Sequence, residues 1–167
     1  MSKDEEKMLK QSATNEIEYK IEKVSKEKTD ILKLLEAKKT IMIPLRGYSM
    51  HPLLVPGRDC VILRPFNEAE LRRGEVLLFR GKGELLTLHR VWKVTKKGVY
   101  FVGDNQVKIE GPIPKEKIYA IMCGFVRNGK EHDVRELLYR AVSRFWLFLR
   151  PVRFLISKPV AKIRGHI

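Results

Sequence analysis

From about residue 40 to residue 127 the apolar residues come in short runs set apart by turn signals, a pattern that points to an antiparallel β domain. The runs are Thr40–Leu45, Cys60–Leu63, Val76–Phe79, Leu85–Val94, Val99–Val102 and Ile118–Val126. Lys82-Gly83, Lys97-Gly98 and Asn128-Gly129 supply turns between or after them. Within Leu85–Val94, strand alternation puts Leu86, Leu88, Trp92 and Val94 on one face and Leu85, Thr87, His89, Val91 and Lys93 on the other. His89 is thereby expected to avoid the more apolar face, whereas Arg90 is directed into it. An unpaired guanidinium there would be costly, so an acid partner is required.

The flanks read differently. Residues 15–39 carry Ile17, Ile21, Val24, Ile31, Leu34 and Leu35 at three-and-four spacing among charges, which predicts one or two amphipathic helices. Thr29-Asp30 offers an N-cap for the second, and disorder is expected before about residue 14. Residues 134–157 return to helical spacing, with Leu138, Val142, Phe145 and Leu149 on one side, and Pro151 is placed to end or kink that helix. The predicted organisation is thus a charged helical segment (1–39), a β domain (40–133) and a basic, aromatic, amphipathic segment (134–167). At 167 residues this is one domain's worth of chain, in the α+β class and mainly β.

Charge is concentrated at one end. The chain has 34 basic and 20 acidic residues, a net of +14, and residues 134–167 hold eight of the basic residues with a single acid, Glu136. Such a tail suits an anionic surface. Spanning a bilayer is disfavoured: Arg140, Arg144, Arg150 and Arg153 would cost about 10–14 kcal/mol near its centre, against about 4–8 returned by the apolar residues. Lying in the interface fits better, with Phe145, Trp146, Phe148 and Phe154 dipping in and the arginines meeting head groups. Docking of the same face onto the β domain or a partner is the alternative. Nucleic acid is disfavoured, because no recognition motif accompanies the charge. Cys60 and Cys123 sit among apolar residues and read as reduced core thiols, which points to a reducing, cytoplasmic compartment. No Cys/His spacing resembles a zinc site, and the first 40 residues are too charged for a signal peptide.

One stretch carries chemistry. In Gly47-Tyr48-Ser49-Met50-His51-Pro52 the glycine allows close backbone approach and the proline ends any regular continuation, so Ser49 is expected on a sharp, exposed turn. Alone, such a serine is a turn hydroxyl and a lone histidine a partly buried polar residue. Ser49 is followed, however, by Gly74-Glu75-Val76-Leu77-Leu78-Phe79, Leu88-His89-Arg90-Val91 and Gly103-Asp104-Asn105. This ordered set resembles the type I signal peptidase family, in its eukaryotic and archaeal branch, where a histidine replaces the lysine base. The resemblance covers roughly residues 40 to 127.

The resemblance implies a signal-peptidase/LexA-like domain of coiled, twisted antiparallel sheets and a serine endopeptidase acting on a peptide or protein precursor, without metal or cofactor. Ser49 would be the nucleophile and His89 the base, and the backbone N–H of Ser49 would contribute to the oxyanion site. Position 47 is glycine where many lysine-type relatives carry a donating serine, which implies a slow enzyme. A lysine base must be brought from about 10.4 to near 7.5, whereas histidine starts near 6.5, so the site could be wetter and less deeply walled. The imidazole then needs an orienting acid. Asp104 and Glu110 are the candidates; the family has aspartate at both places. The short side chain of Asp104 in a glycine turn favours it as the orienting acid, the other then pairing with Arg90. Small residues would be accepted before the scissile bond, in a shallow pocket from the strands around Met42–Leu45 and Val76–Phe79. His51, Arg58 and Asp59 read as turn and surface residues, although the Pro56-Gly57-Arg58-Asp59 turn also fits the family pattern of Gly-Asp before a buried strand. The contrasting function is a non-catalytic peptide-binding or regulatory module on the same fold, of the kind LexA-type repressors elaborate.

Overall fold

The computed structural model describes residues 30–81 and 85–150. Eight strands form one antiparallel sheet: β1 (Ile41–Pro44), β2 (Asp59–Pro65), β3 (Val76–Arg80), β4 (Leu86–Thr95), β5 (Gly98–Val102), β6 (Glu110–Ile113), β7 (Ile118–Arg127) and β8 (Lys130–Asp133). Helix α1 (Asp30–Glu36) precedes them and α2 (Leu137–Phe148) follows. The spatial order is β1-β2-β7-β3-β4-β5-β6, with β8 also paired to β7. Strand β7 is therefore central: β2 runs along one edge, while β3 and β8 share the other. Its run Ile-Tyr-Ala-Ile-Met-Cys-Gly-Phe-Val is apolar on both faces because both faces are covered.

Register shifts between β2 and β7, β3 and β7, β4 and β5, and β5 and β6 mark bulges that bend and twist the ribbon. The coiled sheet encloses two cores. One packs Leu35, Ile41, Met50, Leu54, Leu63, Leu78 and Met122 together. The other packs Leu77, Phe79, Val91, Val99 and Phe101, with Phe79 and Phe101 stacked at 3.9 Å between centroids.

The differences from the sequence reading have local causes. Strand β6 was not expected, since Gly111-Pro112 lies inside it, yet Phe101 pairs with Glu110 and Val99 with Ile113. Strand β8 is polar, and its signal is the turn: Asn128 and Gly129 have φ of 52° and 76°, the left-handed pair of a tight hairpin. In β4 the alternation breaks at Trp92, where a bulge against β5 leaves Val94 exposed. Of the helical reading for 15–39, Asp30–Glu36 is helix, with Leu35 buried and Ile31 and Leu34 against the first core. Residues before 30, the Lys82-Gly83 turn and Pro151 lie outside the described residues.

Asp59 is not a surface residue. It is 2 % exposed and accepts hydrogen bonds from Arg58, Arg127 and the Val55 N–H, while Arg127 also donates to Leu53 O. This knot ties the loop after Ser49 to β2 and β7. Burial alone would raise the Asp59 pKa, but the bonds from Arg127, Arg58 and Val55 outweigh it and hold the carboxyl at about 2. Because the folded pKa lies below the unfolded one, this stabilisation is full above about pH 4 and is lost as pH falls towards 2. Asp59→Asn is expected to lower unfolding free energy by about 1–2 kcal/mol at pH 7, after allowing for the exposed arginines. Urea melts at pH 7 and at pH 2 check this, since the gap from wild type should close at the lower pH.

Candidate active site

The turn that carries Ser49 is held from below. Gly47 has φ of +72°, a conformation that L side chains rarely adopt, and it swings the chain out of β1. Tyr48 O accepts from His51 N and Met50 O from Leu54 N. Met50 and Leu54 are buried in the first core while Ser49 between them and the solvent is half-buried. The Ser-Met pair thus has a division of labour: the methionine anchors and the serine is presented.

The turn is also braced from the side. Asn105 N donates to Ser49 O at 2.7 Å, and a Cβ added at Gly103 would lie 2.7 Å from the same oxygen, so only glycine permits this approach. The next residue, Asp104, is fully engaged elsewhere: its two oxygens accept from Arg90 Nε at 2.8 Å and Nη2 at 2.7 Å. Arg90 Nη1 donates to Gly74 O, and Trp146 Nε1 of α2 donates to Asp104 O. Both side chains of the pair are essentially inaccessible, at 1 % and 0 % exposure. Burial would depress the Arg90 pKa, but the Asp104 charge keeps it above its ordinary value.

The preference for Asp104 as the acid that orients His89 is therefore corrected. A two-toothed grip by a guanidinium leaves that carboxylate committed to the structural pair, and Arg90 takes Asp104 rather than Glu110. The acid beside the imidazole is Glu110, with Oε2 3.6 Å from His89 Nδ1, slightly beyond hydrogen-bond reach. Its carboxyl also occupies the space where a side chain at Gly81 would stand, next to Thr87 Oγ1. The extra methylene of glutamate spans from the β6 edge to the β4 histidine.

His89 is 5 % exposed, and among the described residues its Nδ1 has no partner within hydrogen-bond geometry. Its ring lies 6.1 Å from that of Phe79, tilted by 57°. The expectation that it avoids the apolar face, in a wetter site, does not hold, because the coiled sheet covers that face with the second core. Burial pushes the His89 pKa below its ordinary value, while the charges of Glu110 and Asp104 pull the other way. The net lowering favours the neutral ring, the form able to accept a proton.

A cavity of about 570 Å³ opens at Ser49, walled by Ile43 and Leu45 on the β1 side and by Leu78, Leu86, Thr87 and Leu88 on the other. The expected pocket from β1 and β3 is present in part; β4, not β3, supplies most of the second wall. His89, the next residue along β4, is not among the residues that line this cavity. Among the described residues no cluster of His, Cys, Asp and Glu could hold a metal ion. Cys60 and Cys123 are free and half-buried, their thiols pushed up in pKa by burial. Tyr139 and Trp146, which face Arg90 and Asp104 from α2, were missed, because nothing in a helical repeat marks which of its residues will support a loop 42 positions away.

The chain matches no protein-family model, and no curated protein matches it.

The two acids are expected to separate by experiment. Asp104→Asn strands a buried guanidinium and should cost about 3–5 kcal/mol of stability. Glu110→Gln, on a side chain 24 % exposed, should cost no more than about 1 kcal/mol. Equal losses in urea melts would refute the structural assignment of Asp104.

Proposed function

We propose that this chain is a serine endopeptidase of the signal-peptidase-like class, on a LexA-like β domain, that cleaves a peptide or protein precursor. The observation carrying this reading is the presentation of Ser49 on a braced, left-handed turn at the mouth of an apolar groove walled by β1 and the start of β4, the strand that also carries the buried His89 with the Glu110 carboxylate at its Nδ1 side. Among the described residues β1 is an edge strand, paired with β2 alone. An extended substrate can add to that edge, hydrogen-bonding its backbone to β1 and laying alternate side chains into the groove.

In this mechanism His89 Nε2 removes the Ser49 proton as Oγ attacks the scissile carbonyl. The imidazolium so formed is stabilised by Glu110 and gives its proton to the leaving amine as the C–N bond breaks; water then repeats the sequence on the acyl-enzyme. The 3.6 Å separation of His89 and Glu110 shortens in such a scheme when the ring becomes charged. Position 47 lacks a side chain, so the Ser49 N–H carries the oxyanion, and turnover is slow.

Ser49→Ala and His89→Ala are each expected to reduce precursor cleavage by about 10⁴-fold or more. A Ser49→Ala protein that still cleaves at the normal rate would exclude this mechanism. A wild-type protein that binds peptide along β1 without cleaving it would favour the peptide-binding module instead. Because burial lowers the His89 pKa, the acid limb of kcat/KM is expected below pH 6.5. The Glu110 charge raises that pKa, so Glu110→Gln should move the limb to still lower pH while reducing the plateau about 10²–10⁴-fold. A pH–rate profile with no shift would remove Glu110 from the site.

A further inference from the structure

Helix α2 has two apolar faces, and only one is used. Ser143 and Leu147 are buried against the domain, Trp146 Nε1 bonds Asp104 O, and Tyr139 lies 5.3 Å from the Phe125 ring. The opposite arc carries Leu137, Leu138, Val142, Phe145 and Phe148, at 83, 76, 43, 60 and 76 % exposure. At 100° per residue these five positions fill one continuous side of the helix. An ordinary surface helix would be polar there.

The shoulder between the two faces is cationic. Arg140 and Arg144 stand on it and line a cavity of about 510 Å³ together with Arg72 and Arg73. The other arginines of that wall have carboxylate partners: Arg64 has Glu70, Arg90 has Asp104 and Arg135 has Asp133. Among the described residues of this wall, that leaves Arg72, Arg73, Arg140 and Arg144 with one further carboxylate, Glu75, which feels the charges of Arg72 and Arg140. The chain that follows α2 adds Arg153, Lys158, Lys162 and Arg164, with no acid, among Val152, Phe154, Leu155 and Ile156. An exposed apolar side with arginines along its border is complementary to an anionic bilayer, whose acyl chains would take the one and whose phosphates the other.

We infer that α2 docks this protein flat on an anionic phospholipid surface, with Leu137, Leu138, Val142, Phe145 and Phe148 among the acyl chains and Arg140 and Arg144 on lipid phosphates. No described helix is long and apolar enough to cross a membrane, so α2 binds in the plane. The same helix is joined to the candidate active site. Trp146 holds Asp104 O and Arg150 holds Val107 O, within the loop whose Asn105 N braces Ser49. A domain docked through α2 would present its groove at a fixed attitude to the bilayer. This inference stands whether or not Ser49 is a nucleophile.

The test is flotation of the full chain with vesicles of phosphatidylcholine alone and of phosphatidylcholine with phosphatidylglycerol, at low and at physiological salt. The wild type should float with the anionic vesicles, at least tenfold more tightly than with the neutral ones. Leu138→Glu/Phe145→Glu, at exposed positions, should abolish flotation without changing Tm. Arg140→Ala/Arg144→Ala should weaken it and flatten its salt dependence. The inference is overturned if the wild type stays unbound, or if the Leu138→Glu/Phe145→Glu protein floats like wild type, which would assign binding to charge elsewhere. It is equally overturned if light scattering shows that this variant splits a dimer while flotation is unchanged, since the apolar side would then face a second copy of the chain.

Discussion

The buried pair of Arg90 and Asp104 is the contact on which the rest of this structure turns. Two ions with almost no solvent access are tolerable only if their donors and acceptors are met, and here they are: Asp104 accepts two bonds from Arg90, whose remaining arm reaches Gly74 O. Each partner belongs to a different part of the chain. Arg90 follows His89 on β4, Asp104 sits between the glycine that touches Ser49 and the amide that bonds it, and the Asp104 carbonyl receives Trp146 of α2. One pair thereby sets the spacing between the histidine strand, the serine turn and the C-terminal helix.

This arrangement frees Glu110 for the imidazole. Two acids and two bases meet in a small space, and the pairing is decided by geometry and desolvation together. Arg90, fully enclosed, requires a fully committed carboxylate, and the short side chain on the adjoining loop provides it. Burial favours the neutral form of His89, which tolerates a partner at 3.6 Å with some solvent access. A histidine strand walled by Phe79 and the second core is drier than the lysine-to-histidine comparison implies, since a histidine, which needs no pKa depression from its surroundings, receives one all the same.

The C-terminal helix shows how far periodicity reaches. Its pattern is legible as amphipathic: of the stripe Leu138, Val142, Phe145 and Leu149, the first three lie exposed on one side, while Leu149 caps the helix and is half-buried. The packing reverses the usual meaning of that stripe, because the domain takes the other side, where Ser143 is a small residue that lets the helix approach and Trp146 supplies an indole donor for a carbonyl. Trp146 was expected to dip into a bilayer and instead bonds the protein. Phe154 lies outside the described residues.

The sequence by itself determined the β character of residues 41–133, the turn that presents Ser49, the need for an acid beside Arg90 and the cationic, apolar nature of the C-terminal segment. Each is a local property: run length, turn chemistry, alternation and charge are carried by neighbours along the chain. Strands β6 and β8 escaped notice because a Gly-Pro and a polar tetrapeptide become strands only when β5 and β7 offer them hydrogen bonds. Which acid serves Arg90 and which faces His89, how dry the histidine is, and which side of α2 is left bare were decided by the tertiary structure alone. Bulges coil the sheet and bring together groups 14 to 42 residues apart, and no local pattern encodes the outcome of that three-dimensional competition.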